Sequence, residues 1–395
     1  MAGHDDGTVN ERDKRAQQAA YLRARHNFSQ EQIGRMLGGV SQSHVSRLLA
    51  HATDMGWLVT ELHFNDRNVS AEAMREIQQL MEPRRLVDRF EEIRARTGRM
   101  TPNVRVFDSG SDSPTSGAFE IRIRRFGRSA AGRLEELLRQ CSAVGLTWGR
   151  TVSALIDGLG ATHRHHHPDR SFLVAPVCAE LITLAAPDFS SSLLAARLNG
   201  LFNDGQGETL RLGGVPAYIP RRYEATKAQA IREYLLDAAS YRKIFSGEAP
   251  LINRIDTIIT SVGSVHRLLG GAMEEVVTAG DIPAAELKEL IIGDIGGILI
   301  PKRGLPEDKV ADVEALNAMW TGISRERLSR LAMRAGATGG AGVIVAAIGR
   351  ERAAIIAELI RLEMINELII DWDLANALED LLSREREMPD GRNSR

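Results

Sequence analysis

The segment AVGLTWGRTVSALIDGL, residues 143–159, joins an apolar run to a helical pattern through the turn Thr147-Trp-Gly-Arg-Thr151. The theme returns in TIITSVGSVHRLLGGAMEEV at 257–276, GVIVAAIGRERAAIIAELIRL at 342–362 and NELIIDWDLANALEDLL at 366–382. Apolar strands alternating with helices indicate a parallel sheet, because the crossover helices cover both of its faces. The expected fold class is therefore α/β, with a doubly wound, Rossmann-like domain. Ligands of such sheets bind beyond the carboxyl ends of the strands, where these four turns lie.

A chain of 395 residues has room for two or three domains. Its 43% hydrophobic and 26% charged residues are an ordinary globular balance. The net charge of −2 gives no overall attraction for a polyanion. Charge distribution is more informative: Arg12, Lys14, Arg15, Arg23, Arg25, Arg35 and Arg47 are opposed over that stretch only by Asp13 and Glu31. Such a local excess matches a phosphate backbone, or is simply a solvated face. Cys141 and Cys178 lie in apolar surroundings outside any CxxC spacing, so inert buried thiols are expected. The polar opening MAGHDDGTVNERDKR lacks the apolar core of a secretion signal, and the longest apolar runs, such as LITLAA at 181–186, are too short to span a bilayer. A cytoplasmic protein without membrane contact is expected.

Three helices precede the α/β region. Ala16, Ala19, Ala20 and Leu22 form the stripe of the first, between Glu11 and His26. Ser29 and Gln32 make a capping box for the second, which ends at Leu37-Gly38-Gly39. Ser41 caps the third, whose Val45, Leu48 and Leu49 recur at i, i+3, i+4. Gly34 sits where a small side chain lets helices two and three cross, and Val45 faces Ile33 and Leu37. Gln42, Ser43, His44, Ser46 and Arg47 remain on the outer face. Gln and Arg suit bidentate contacts with adenine and guanine edges in the major groove, while Ser41 and Ser43 suit phosphates. This is a helix-turn-helix, against the plainer reading of an ordinary three-helix bundle. Gly56 to Leu62 then alternates toward a short wing strand.

The stretch YLRARHNFSQEQIGRMLGGVSQSHVSRLLAHATDMGWL resembles the N-terminal domain of SorC/DeoR-type bacterial sugar-responsive regulators. Its turn, Leu37 to Ser41, is one residue longer than the usual pattern. The resemblance continues in VGLTWGRTVSAL (144–155), IIGDIGGILIPKRG (291–304) and the end of the chain from 343 to 382. It implies an effector domain similar to sugar-phosphate isomerases and a homodimer or homotetramer on a palindromic operator. It also implies a sugar, polyol or sugar phosphate held by Trp148, Gly149, Arg150 and Thr151, by Gly263 and Ser264, and by Arg352 where the family commonly has lysine. Physically, Gly149 admits close backbone approach, and Arg150 and Thr151 can donate to phosphate oxygens at a helix N-terminus. Without the resemblance, the same residues read as a plain strand-to-helix turn. Asp294 is either an acceptor for sugar hydroxyls or part of a structural Gly-Asp turn. Glu180 and Trp372 depart from the family pattern, which is compatible with an effector lacking phosphate.

The expected boundaries are a disordered 1–10, a helix-turn-helix domain at 11–66, a linker helix and the start of the effector domain at 67–100, the effector domain at 101–385 and a disordered tail at 386–395. Within them, residues 70–97 read as a charged helix, while Val104–Phe107 and Ile121–Ile123 read as short β segments. The tract His163-Arg-His-His-His167 resembles a metal-binding run but lacks a fixed tetrahedral spacing, and a solvated loop is the plainer reading. The Arg-rich stretch between Arg84 and Arg139 is interspersed with acids, as a solvated helix face would be. No cofactor motif is found, and Trp57, Trp148, Trp320 and Trp372 are too scattered for a base-stacking platform. A regulator controlled by a small molecule is therefore expected and not an enzyme; Asp294, His266 and Asp371 are only isolated candidates for an isomerase base. A DNA-binding scaffold protein with no effector is the remaining reading.

Overall fold

The computed structural model describes residues 10–58, 70, 72–73, 82–110, 118–162, 172–181, 188–203, 210–223, 225–266 and 271–387. The chain forms two compact units, one holding the first three helices and the other both sheets. No helix among the described residues is long and apolar enough to cross a membrane.

The first unit contains α1 (Glu11–His26), α2 (Gln30–Met36) and α3 (Gln42–Asp54). Ala16 and Ala19 of α1, Ile33 of α2, and Val45, Leu48 and Leu49 of α3 are buried together, as their periodicity predicts. The Ser29–Gln32 capping box is formed in both directions, an arrangement worth about 1 kcal/mol. The Asp13 carboxylate and His51 Nε2 lie 2.6 Å apart, tying α1 to α3. Gly34 meets the backbone directly: a β-carbon there would stand 2.4 Å from the Val40 carbonyl oxygen. The longer turn closes on the same residue, since the Gly34 carbonyl accepts from the amides of Gly39 and Val40 at 2.9 and 3.0 Å. Gly38 and Gly39 adopt φ of +90° and +81°, a pair of left-handed conformations that side-chain-bearing residues resist. Of the wing strand expected over 56–62, residues 56–58 form a turn closing the end of α3, with the amides of Trp57 and Leu58 on the Ala52 carbonyl, and 59–62 lie outside the described residues.

The second unit contains α4 (Arg84–Thr97), which is only the later part of the charged helix expected over 70–97: Glu82 and Pro83 are not helical, and Pro83, which has no backbone N–H, stands at the start of a separate helix. Its main sheet has six parallel strands: β1 (Asn103–Phe107), β2 (Ala143–Leu146), β3 (Leu173–Pro176), β4 (Thr257–Thr260), β8 (Gly342–Ala347) and β9 (Glu367–Asp371). Their spatial order is β1-β9-β8-β4-β2-β3. Every residue of β2, β4, β8 and β9 is buried, which requires cover on both faces. One face carries Ile258, Val343, Val345, Leu368 and Ile370 against residues of α12 (Arg325–Thr338), α13 (Ala353–Arg361) and α14 (Trp372–Glu387).

Two further helices, α5 (Ala118–Leu138) and α6 (Arg150–Thr162), cross at almost bare backbone. A β-carbon on Gly127 would lie 2.1 Å from the Ala154 carbonyl oxygen, and one on Gly158 would lie 2.1 Å from that of Gly127. The β segment expected at Ile121–Ile123 is instead part of α5. The two isoleucines are two apart, but Ile123, Phe126, Ala130 and Leu134 are buried at helical spacing, so the longer period prevails. Between the main-sheet elements lie α7 (Ser191–Phe202), α8 (Ala225–Asp237), α9 (Ala272–Thr278), α10 (Ala284–Leu290) and α11 (Glu307–Asn317). A second, antiparallel sheet is built from β5 (Val262–Ser264), β6 (Ile291–Ile295) and β7 (Ile298–Pro301). It springs directly from the end of β4, separated from it by Ser261 alone.

Candidate functional site

The winding of the main sheet reverses between β2 and β4. From β2 the chain runs outward to β3, and from β4 it runs the other way through β8 to β9. Diverging connections leave a crevice beyond the carboxyl ends of β2 and β4, the usual ligand position in such folds. The residues there are Thr147-Trp148-Gly149 and Thr260-Ser261. The hydroxyls of Thr147 and Thr260 hydrogen-bond at 2.9 Å, and both side chains are buried. Gly149 adopts φ of +149°, and a β-carbon there would stand 2.3 Å from Ser261 Oγ. Arg150 and Thr151 open α6, whose first-turn amides have no partner within their own helix. Thr151 is buried, whereas Arg150 is half-buried.

The turn of the β6–β7 hairpin forms one wall of this crevice. Gly296 and Gly297 have φ of +57° and +95°, the two positive values that a tight hairpin of primed type needs. Their missing β-carbons would fall 2.9 Å from Thr147 Cγ2 and 3.0 Å from Trp148 Cζ2. Trp148 packs on Trp320 at 5.9 Å between ring centroids, and Trp320 on Tyr218 at 5.1 Å. The Trp320 indole nitrogen is buried without a hydrogen-bond partner among the described residues. Cys178, past the end of β3, donates to the Gly296 carbonyl at 3.2 Å, and burial pushes its thiol pKa up.

Asp294 lies in the same hairpin and is 5% exposed. Burial pushes its pKa up to about 6, against the Gly297 amide donated to Oδ1 and the nearby Arg352 charge, which favour the carboxylate. Gly263 makes room for it: a β-carbon there would collide with Asp294 Oδ2 at 2.0 Å. Ser264 donates its hydroxyl to the Glu351 carbonyl at 2.9 Å and accepts the His266 amide at 3.3 Å. Arg352 is buried, and its guanidinium donates to the carbonyls of Ile348 and Val262 and to Glu351 Oε1. It thereby ties the end of β8 to the start of β5. Asp371 accepts from the amides of Gly349 and Leu374, from the Ser109 hydroxyl and from Arg122. Trp372 opens α14 and is 48% exposed.

The structure thus gathers Trp148, Gly149, Arg150, Thr151 and Asp294 at the switch point. Gly263, Ser264 and Arg352 form the scaffold beside it. Thr147, Thr260, Ser261 and Trp320 were not singled out from sequence. The first three were legible as hydroxyl residues ending apolar strands; Trp320 carried no local signal. Among the described residues, no group of three His, Cys, Asp or Glu side chains is placed to hold a metal ion. The His163–His167 tract lies outside them.

In the first unit, Ser41 accepts the His44 amide at 3.3 Å and lies 3.0 Å from the Ser43 hydroxyl. Gln42, Ser43, Ser46 and Arg47 are exposed, and His44 is half-buried. Arg15 and Arg35 pair with Glu11 and Glu31, whereas Arg47 has no carboxylate partner among the described residues. Among the arginines between 84 and 139, Arg89, Arg105, Arg122, Arg125, Arg133 and Arg139 are ion-paired.

No family model matches this chain, and no curated protein does. Among solved structures, the likeness is to bacterial transcriptional regulators, and it is one of fold. The full-length Sorbitol Operon Regulator SorC from Klebsiella pneumoniae aligns with a TM-score of 0.53 at 18% identity, covering 94% of this chain and 100% of that one. A DeoR family transcriptional regulator from Listeria monocytogenes aligns at 0.51 and 16% identity, over 74% of this chain and 99% of that one. A transcriptional regulator from Streptococcus pneumoniae TIGR4 gives 0.52 and 14%, over 75% and 97%.

Proposed function

We propose that this protein is a DNA-binding transcription regulator whose operator binding is controlled by a carbohydrate-class effector. One observation carries the reading: a single chain joins a three-helix unit presenting Gln42, Ser46 and an Arg47 with no carboxylate partner among the described residues to a sheet whose switch point lies beside Gly149 and paired threonine hydroxyls. The likeness to SorC over nearly the whole chain supports it. Gln42 and Arg47 would read base edges, with Ser41, Ser43, His44 and Ser46 against the backbone and groove wall. In the crevice, Thr151 and the α6 amides would donate to effector oxygens while Asp294 would accept from hydroxyls. Trp148 would supply an apolar wall, and Arg150 a charge if the effector carries a phosphate.

A homodimer or homotetramer would present paired α3 helices to a palindromic operator, and effector binding would alter their spacing. Thermal-shift screening of sugars, polyols and their phosphates, followed by fluorescence anisotropy on operator DNA with each hit, tests the scheme. Arg150→Ala with Thr151→Ala should abolish the ligand response, and Arg47→Ala should weaken operator binding at least tenfold in a folded protein. Unaltered ligand response or unaltered DNA binding refutes the corresponding half.

Sugar-phosphate isomerisation is the second reading. The raised pKa of Asp294 favours it, since a base poised near the working pH transfers protons best. Turnover of a sugar phosphate that disappears in Asp294→Asn would establish it.

A further inference from the structure

We infer that the second unit holds a separate binding site for an amphipathic anion: a small acid or phosphate ester with an apolar body. The site is a groove of about 530 Å³ between α12 and the turn Leu251–Asn253. Its floor is apolar, with Ile255, Ile258 and Leu331 almost wholly buried. Its rim carries Arg327, Arg330 and Arg334, whose i, i+3 and i+7 spacing sets them along one stripe of α12.

Among the described residues, the three guanidinium groups meet only neutral oxygens. Arg327 donates to Asn253 Oδ1 at 3.2 Å, Arg330 to the Glu326 carbonyl at 3.3 Å and Arg334 to the Ile255 carbonyl at 2.7 Å. Arg325 on the same helix is paired with Glu314 at 2.5 Å, so the helix is not simply short of acids. The Glu326 carboxylate feels Arg330 but forms no ion pair with it; its pKa is lowered first by its own helix-start backbone amide and by Ser324. Three like charges along one helix face repel one another, and an incoming anion removes that repulsion while gaining charge-assisted hydrogen bonds. A bare inorganic anion would leave the isoleucine floor wet, and a neutral apolar molecule would leave the arginines uncompensated. A ligand with both parts satisfies both surfaces. The volume matches a small-molecule site.

The groove lies at the opposite end of β4 from the switch point. Ile258 is in its floor, whereas Thr260 and Ser261 end the same strand in the other crevice. The site is thus independent of the carbohydrate reading.

The test uses 1-naphthyl phosphate as a probe with the full chain, measured by isothermal titration calorimetry. The expected result is one site whose affinity falls at least tenfold in R327Q/R330Q/R334Q with melting temperature retained. R150A should leave that site unchanged, and 1-naphthol and inorganic phosphate should each bind at least tenfold more weakly. R330E is the companion variant if the triple change impairs folding, because Arg330 is exposed and, among the described residues, bonds only within its own helix. Equal affinity in the triple variant or R330E, equal binding of 1-naphthol, or loss in R150A instead overturns the proposal. So does a change of oligomeric state in these variants by sedimentation, which would make the groove a contact between copies.

Discussion

Replacing Asp294 by asparagine should stabilise the protein, and by an amount that depends on pH. The carboxyl is buried in the β6–β7 hairpin, and its pKa is raised from 3.8 to about 6. Each unit is worth about 1.4 kcal/mol, so the folded state prefers the protonated acid by about 3 kcal/mol relative to the unfolded chain. That preference is fully present below pH 3.8, declines as pH rises and is gone above about 6, where a charge must be buried to stay folded. Asparagine is neutral throughout and can keep its carbonyl oxygen on the Gly297 amide. The variant should therefore match the native protein at pH 4 and exceed it by up to about 3 kcal/mol at pH 7.5. Scanning calorimetry between those limits reads the difference as a growing gap in melting temperature. A gap that does not change with pH, or a less stable variant at pH 7.5, would show that local contacts hold the carboxylate charged and would refute the burial argument. Loss of effector response in the stabilised variant would add that the buried charge serves binding.

Alanine at a helical glycine normally stabilises by about 1 kcal/mol, but Gly34→Ala should lower stability. Its β-carbon meets the Val40 carbonyl at 2.4 Å, so α2 and α3 must separate or the turn must open. A rise in melting temperature with DNA binding intact would contradict the crossing described. Gly149→Ala should cost about 1–3 kcal/mol from its positive φ and the contact with Ser261. Adding Ser261→Ala should recover only part of the loss in a urea melt, because the backbone conformation remains; complete recovery would assign the whole effect to the side-chain clash.

The helical unit was largely legible in the chain because its determinants are local. Ser29 and Gln32 are three residues apart, as are Val45 and Leu48, and a helix turns spacing directly into a cap or a buried stripe. The apolar runs at 143–146, 257–260, 342–347 and 367–371 were legible for the same reason. Ile121–Ile123 misled because a spacing of two matches a strand, and only Phe126, Ala130 and Leu134, which follow Ile123 at helical spacing, show that the longer period applies. The small sheet was read as a Gly-Asp segment. Gly296-Gly297 between Ile295 and the apolar Ile298-Leu299-Ile300 was the available hairpin signal.

By itself, the sequence determined the three N-terminal helices, the apolar strands at 143–146, 257–260, 342–347 and 367–371, and the glycine-bearing turns after the first three of them. Tertiary structure decided which turns meet. Strand order places Thr147 against Thr260 across 113 residues and brings the β6–β7 turn onto Trp148. It also divides the candidates: Gly149, Thr151 and Asp294 surround the crevice, while Ser264 and Arg352 spend hydrogen bonds holding β5 and β8 together. Whether a polar side chain awaits a ligand or holds the fold depends on the partners that burial gives it, and those come from distant segments with no fixed spacing in the chain.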